Sequence, residues 1–181
     1  MSTPTTPTLM PDIVVTIVAL VVGLVACVTD VQTRRIPNVL TFGAAAVAIV
    51  VHTIVGGFGA LGTSVAGWLL GVALFLPFFA LGGMGAGDVK LLAALGAWLG
   101  PRDTFWVAIY ASMAGGVMAV VVALASGYLR TALGNVRNLV TYWALVGPRP
   151  VPGMTLEESK APRLAYAVPI FAGTVVTVWL R

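Results

Sequence analysis

The sequence contains very little charge for its length. Lys, Arg, Asp and Glu make up 9% of the 181 residues, while 59% are hydrophobic. A soluble globular domain carries about 25% charged residues, so this chain cannot cover a water-facing surface. The composition therefore predicts an integral membrane protein with a single membrane-embedded domain over residues 1–181. Its net charge of +4 fits basic cytoplasmic loops better than a nucleic-acid partner.

Cysteine and histidine each occur once, as Cys27 and His52. A single cysteine excludes an internal disulfide framework and a zinc site built from four cysteines. One histidine, without a Ser-His-Asp arrangement, is a poor basis for nucleophilic catalysis. We therefore expect no metal and no cofactor. Residues 1–12 also lack Lys and Arg, so they do not form a signal-peptide n-region, and we expect the first apolar stretch to be retained.

Six apolar stretches separated by glycine and proline predict an all-α protein with six transmembrane helices. They cover residues 13–29, 39–55, 61–81, 89–99, 104–128 and 164–180. Placing the N-terminus outside puts eight of the ten basic residues on the cytoplasmic side, which predicts an N-out, C-out topology. The fourth stretch is unusually short. From Asp88 to Gly100 a helix extends about 18 Å, less than the roughly 30 Å hydrocarbon core.

The loop between the fifth and sixth predicted helices carries an amphipathic pattern. Apolar residues recur there at three- and four-residue spacing: Leu129, Leu133, Val136, Val140 and Trp143. Arg130 and Arg137 lie on the other face. This pattern predicts a helix on the cytoplasmic membrane interface, followed by a polar stretch at Glu157-Glu158.

Two of the six acidic residues lie at ends of predicted membrane helices. Asp30 ends the first helix and Asp88 begins the fourth, and the chain crosses the bilayer twice between them. Both carboxylates are therefore expected on the cytoplasmic side. A carboxylate at such a depth costs a few kcal/mol, which favours a functional role. Taken singly, Asp30 could simply pair with Arg34, and Asp88 could be an N-cap.

Two carboxylates are sufficient to hydrolyse an amide. One takes a proton from the attacking water, while the other, protonated, hydrogen-bonds the carbonyl oxygen. Like charges held close together keep one proton on the pair. Gly85 and Gly87, on the approach to Asp88, could leave room for an extended substrate or adopt positive φ. The sequence thus predicts a two-aspartate peptidase.

Two motifs carry a resemblance to a known family. Asp30 followed by Thr33-Arg34-Arg35-Ile36-Pro37-Asn38, and Gly85-Ala86-Gly87-Asp88-Val89-Lys90-Leu91, resemble the type IV prepilin peptidases. The likeness extends to Leu164-Ala165-Tyr166-Ala167-Val168-Pro169. It implies an aspartic endopeptidase of the cytoplasmic membrane that removes the basic leader of prepilins and pseudopilins at the cytoplasmic face. Asp30 and Asp88 match the two catalytic aspartates.

The resemblance also suggests residues that bind substrate or shape the site: Arg34, Pro37, Asn38, Gly85, Gly87 and Lys90. Arg34 and Lys90 are equally well explained as topology anchors, although Lys90 could also tune Asp88 or meet an acidic group of the substrate. Asn38 is also expected to cap the second helix. Larger family members N-methylate the new pilin N-terminus through a cytoplasmic segment with paired Cys-x-x-Cys. The chain resembles the short form associated with tight-adherence (Flp) pili, so no methyltransferase or zinc-binding segment is expected.

Other functions remain open from sequence alone. An archaeal preflagellin peptidase is a close alternative. Presenilin-type enzymes also use Gly-x-Gly-Asp, but there the partner Asp follows a Tyr, whereas Thr29 precedes Asp30 here. A transporter would place polar residues at mid-span on several helices, and these stretches have few. A membrane scaffold without catalytic activity would tolerate the loss of either carboxylate.

Overall fold

The computed structural model describes residues 12–151 and 164–181, and all regular structure in these residues is α-helical. Five helices follow in chain order: α1 (Asp12–Thr33), α2 (Asn38–Ala80), α3 (Ala86–Ala125), α4 (Leu129–Val146) and α5 (Ala167–Trp179). The all-α prediction is confirmed. Three helices, α1, α2 and α3, are long and apolar enough to cross a membrane, and α5 is a shorter apolar helix.

Helix α2 is broken at Gly57, whose φ of 65° and ψ of −157° are not helical. The break separates α2a (residues 38–56) from α2b (residues 58–80). Asn38 contacts Lys90 and Ala44 contacts Trp98, so α2a runs parallel to the first part of α3. Ser64 bonds to Ala97 and Gly71 lies against Ala93, so α2b runs antiparallel to the same part of α3. The chain therefore reverses direction at Gly57.

A second break occurs in α3 at Gly100, with φ 77° and ψ 172°. It separates α3a (residues 86–99) from α3b (residues 101–125), and Pro101 takes the first helical position of α3b, where its missing N–H costs nothing. Helix α5 packs antiparallel to α3b. Tyr166, just before α5, lies against Gly115, Gly173 lies against Val107 and Ala111, and the last residue, Arg181, pairs with Asp103.

These breaks change the helix count expected from the sequence. The predicted second and third stretches are joined in α2, and the predicted fourth and fifth stretches are joined in α3, because a single glycine separates the members of each pair. The six predicted membrane stretches therefore correspond to four helices in the structure, α1, α2, α3 and α5, and the fifth helix, α4, corresponds to the predicted amphipathic segment. The number of membrane crossings and the N-out, C-out orientation stay predictions.

Segment α3a lies at the centre of the bundle. Every residue from 91 to 100 is buried, whereas α1, α2 and α3b each present exposed apolar side chains. Small residues allow the close packing: a Cβ added to Gly67 would lie 2.0 Å from the backbone oxygen of Gly96. Being enclosed by other helices on all sides, α3a does not need the length of a lipid-exposed span.

Helix α4 confirms the predicted amphipathic helix, and none of its residues is buried. Leu133, Val136 and Val140 are exposed along one face, as an interfacial helix requires. Its location on the membrane surface stays a prediction. Glu157-Glu158, Lys160 and Arg163 lie outside the described residues.

Candidate active site

Asp30 lies in the last turn of α1 and is only 7% exposed. The backbone N–H of Ala167, the first residue of α5, donates to Asp30 Oδ2 at 3.2 Å. Helix α1 ends three residues later, and Arg34 then adopts φ 55°, where its N–H donates to the Asp30 carbonyl at 2.8 Å. This left-handed residue closes the helix as an αL cap does. The cap and the bond from α5 together orient the Asp30 carboxylate.

Asp88 is the third residue of α3 and is 9% exposed. Its Oδ2 accepts a hydrogen bond from the Gly85 N–H at 3.2 Å, so the carboxylate folds back over the start of its own helix. The helix dipole favours a negative charge at this position. Gly85, rather than Asp88, is the N-cap residue, so the alternative of Asp88 as N-cap is wrong in position.

The fold brings the two aspartates together. They are separated by 58 positions in the sequence, yet they lie close enough for their charges to interact. The ion pair between Arg181 and Asp103, in the described part of the chain, involves neither carboxylate. Each carboxylate accepts a hydrogen bond from one backbone N–H. Two buried carboxylates whose charges interact can share a proton, which is the arrangement that general acid–base hydrolysis needs.

The glycines of the motif serve close packing around Asp88. A Cβ on Gly85 would lie 3.1 Å from Asp88 Oδ2, and a Cβ on Gly87 would lie 3.3 Å from the Cβ of Ile36. Neither glycine has positive φ, so that part of the sequence interpretation is wrong. Gly87 instead lets the loop between α1 and α2 approach α3, which holds the two aspartate-bearing helix ends together.

Lys90 lies on another face of α3a. Its Nζ donates to Asn38 Oδ1 at 3.0 Å and lies 5.2 Å from the centre of the Phe42 ring. The contact joins α3 to the start of α2, which makes Lys90 a link between helices. The prediction that Asn38 caps α2 is wrong. Pro37 is the N-cap residue and no side chain caps the helix, because the Asn38 amide oxygen is engaged by Lys90.

A small apolar cavity of about 190 Å³ opens beside this contact. Its lining includes Thr41, Phe42, Trp68, Phe79, Val89 and Lys90. The Lys90 side chain bonds to Asn38, and Pro37 is the N-cap residue of α2. The proposed roles of these residues and of Arg34 in substrate binding stay predictions.

Two residues beside the aspartate pair Asp30 and Asp88 (the dyad) belong to the motif at residues 164–169, for which the sequence predicted no role. Ala167 supplies the N–H on Asp30, and the Tyr166 ring packs edge-on against Phe75 at 6.1 Å between centroids. Tyr166 also lies near Ser112 and close enough to Asp88 for an electrostatic interaction. A backbone donor leaves no side-chain signal in a sequence. The position of Tyr166 directly after the long loop was the one available clue.

No group of three or more His, Cys, Asp or Glu side chains within residues 12–151 and 164–181 is arranged to hold a metal ion. The chemistry that these residues supply is that of two carboxylates, two backbone amides and a neighbouring phenol.

Comparison with known proteins connects this geometry with a reaction. The sequence model of the Type IV leader peptidase family matches residues 17–120, which include both aspartates and more than half of the chain. A protein of Aeromonas hydrophila named prepilin leader peptidase/N-methyltransferase is 43% identical over 74 residues. That alignment covers 37% of this chain and 26% of the relative, so the chain matches about a quarter of its length. No solved structure matches.

Proposed function

The chain belongs to the Type IV leader peptidase family, and from this premise we propose that it is an aspartic endopeptidase that removes the leader of type IV prepilins. The observation that carries the proposal is the buried pair Asp30 and Asp88. Each is fixed by a backbone N–H, and their charges interact across the space between α1 and α3.

In the proposed reaction the pair begins with one proton. The ionised aspartate takes a proton from a water as the water oxygen attacks the scissile carbonyl carbon, and the protonated aspartate gives its proton to the carbonyl oxygen. The C–N bond then breaks. The new acid protonates the departing amine, while its partner recovers a proton from the tetrahedral hydroxyl. The pair returns to one shared proton, and it titrates as a unit, so neither residue is assigned as the base.

The proposed membrane arrangement has six crossings. If the chain reverses at the break at Gly100 as it does at Gly57, α2 and α3 are two helical hairpins, which with α1 and α5 give an even number of crossings and an N-out, C-out chain. Both aspartates then face the cytoplasm. Helix α4 would lie on the cytoplasmic interface with its apolar face toward lipid.

The proposed substrates are prepilins and pseudopilins of the Flp type, whose basic leader precedes an apolar helix. A substrate helix lying in the bilayer would present its leader junction at the cytoplasmic face, at the depth of the carboxylates. We propose cleavage without N-methylation. The Aeromonas relative carries both activities in its name, and this chain matches only part of that protein.

The proposal is tested by co-expressing a Flp-type prepilin with the wild-type chain, Asp30→Asn or Asp88→Asn. Both substitutions preserve the shape of the side chain and the acceptor for its backbone N–H. The size of the pilin in membranes reports cleavage, and immunoblots report enzyme levels. Cleavage by the wild type and its loss in both variants is the expected result. Persistent cleavage in either variant would remove that aspartate from catalysis, and an inactive wild type would favour the transporter or scaffold.

Methylation is measured on the same cleaved pilin by mass spectrometry of its N-terminal peptide. The expected product has a free amine. A mass increase of one methyl group that depends on this chain would contradict the proposed absence of methyltransferase activity.

A further inference from the structure

Three helical elements meet at Tyr166. Its ring packs edge-on against Phe75 of α2b, which is 1% exposed, and it lies so close to α3b that a Cβ on Gly115 would be 2.7 Å from a ring carbon. Its hydroxyl lies near Ser112, one turn before Gly115 on α3b. A ring held from two sides has little freedom to move.

The next residue in the chain contacts the proposed catalytic pair. Ala167 follows Tyr166 directly and donates its N–H to Asp30 Oδ2. The position of this N–H is therefore set by the position of Tyr166. Since Tyr166 also interacts electrostatically with Asp88, the turn that begins α5 contacts Asp30 and influences Asp88.

We propose that Tyr166 is a positioning residue. It fixes the first turn of α5, so that the hydrogen bond from the Ala167 N–H keeps the Asp30 carboxylate in its position relative to Asp88. This inference rests on the proposed peptidase function. It assigns to the last helix the task of assembling a dyad whose two aspartates come from other helices. A hydrogen bond from a rigid backbone donor orients a carboxylate without neutralising its charge.

Each contact has a matched control elsewhere in the chain. Tyr166→Phe and Ser112→Ala each remove one of two neighbouring hydroxyl groups. Tyr110→Phe is the control for the first, because Tyr110 stacks on Trp106 away from the aspartates. Ser126→Ala is the control for the second, because both serines bond to the carbonyl four residues earlier.

The glycine pair is a sharper test. A Cβ on Gly115 would press on the Tyr166 ring, whereas a Cβ on Gly116 meets no atom within 4 Å. Both substitutions are Gly→Ala in neighbouring positions of the same helix, so their effects on helix propensity cancel in the comparison.

The experiment measures kcat, KM and the pH dependence of kcat for cleavage of a Flp-type prepilin by purified full-length chain in lipid. Tyr166→Phe and Ser112→Ala are expected to lower kcat about fivefold to tenfold with KM nearly unchanged, because each removes a polar group that helps to hold Tyr166 in place. The double variant should lose no more than either single one. Gly115→Ala should lose about a hundredfold, because the ring must shift. All four positioning variants should also move the pH optimum, which a purely structural role would not do.

The controls Tyr110→Phe, Ser126→Ala and Gly116→Ala are expected to keep wild-type kcat and pH optimum. The inference is overturned if Tyr166→Phe and Ser112→Ala both match the wild type in kcat and pH optimum while Asp88→Asn is inactive. In that case the proposed function stands. An inactive wild type would overturn the proposed function and this inference with it.

Discussion

Asp88 and Asp103 occupy the same local position at opposite ends of the helix bundle. Each is three residues after a glycine that precedes a helical segment: Gly85 before α3a and Gly100 before α3b. Asp103 forms an ion pair with Arg181 at the end of the chain. Asp88 instead lies where its charge interacts with that of Asp30. The same local geometry therefore places an oppositely charged partner beside one acid and a like-charged one beside the other.

The difference separates a carboxylate that serves stability from one for which we propose a chemical role. A helix N-terminus stabilises an acid in either place. The Arg181 guanidinium adds a favourable interaction at Asp103, whereas Asp30 adds a repulsive one at Asp88. Folding alone gains nothing from bringing Asp30 to that position, and such a local cost is typical of a functional site.

The largest effect that would test this comparison is on cleavage. Asp88→Asn should reduce kcat/KM by about a thousandfold or more, because one carboxylate cannot act as both acid and base. Asp103→Asn should remain within about twofold of the wild type, since it alters only an ion pair distant from the dyad. Prepilin cleavage measured at equal enzyme levels reports both. Equal losses in the two variants would show that the ends do not differ as described.

A second prediction concerns the close contact between α2b and α3a. Gly67→Ala should destabilise the protein by about 3 kcal/mol or more, because its Cβ would meet the backbone of Gly96 and neither helix can yield locally. Gly62→Ala is the control, since no atom lies within 4 Å of its added Cβ. Thermal unfolding in detergent measures the difference. Similar unfolding of the two variants would mean that α2b and α3a are less closely packed.

The smallest expected effect is on the free energy of unfolding, which the same Asp→Asn substitution should raise at Asp88 and lower at Asp103. Asp88→Asn removes the repulsion from Asp30 and keeps an acceptor for the Gly85 N–H, so it should stabilise the fold by about 1 kcal/mol at pH 8. Asp103→Asn should destabilise it by about 0.5 to 1 kcal/mol through loss of the partly exposed ion pair. Denaturant unfolding of both variants is the measurement. Destabilisation by Asp88→Asn would mean that the aspartate pair contributes to folding.

The sequence predicted much of the helical framework because its breaks have chemical markers. Gly57 and Gly100 adopt positive φ, which glycine tolerates, and the predicted stretches stop near both. Asp30 and Asp88 were predicted as site residues because acids are costly in apolar helices, so their positions carry information. Their catalytic role stays a prediction. Belonging to the family was predicted from the motifs around them and is confirmed by the family match.

Other parts of the site could not be predicted in this way. The Ala167 amide is a backbone group that any residue but proline would provide, and its partner is 137 positions away in the sequence. Asn38 has the composition of an N-cap, but its partner Lys90 comes from a different helix. Local preferences cannot reveal which distant side chain will compete for a polar group.

The buried centre of the bundle also determines how this protein can change over evolutionary time. Helices beside lipid can exchange one apolar residue for another on their outer faces, so their tolerance to substitution should follow the helical repeat. Residues 91 to 100 are enclosed all round, and they should tolerate few substitutions on any face. In a library with every substitution at every position, α3a should then form one continuous intolerant segment, flanked by segments whose tolerance varies with the helical repeat. Sequence divergence in this protein would accumulate outside that segment, and the helix that carries Asp88 would change little.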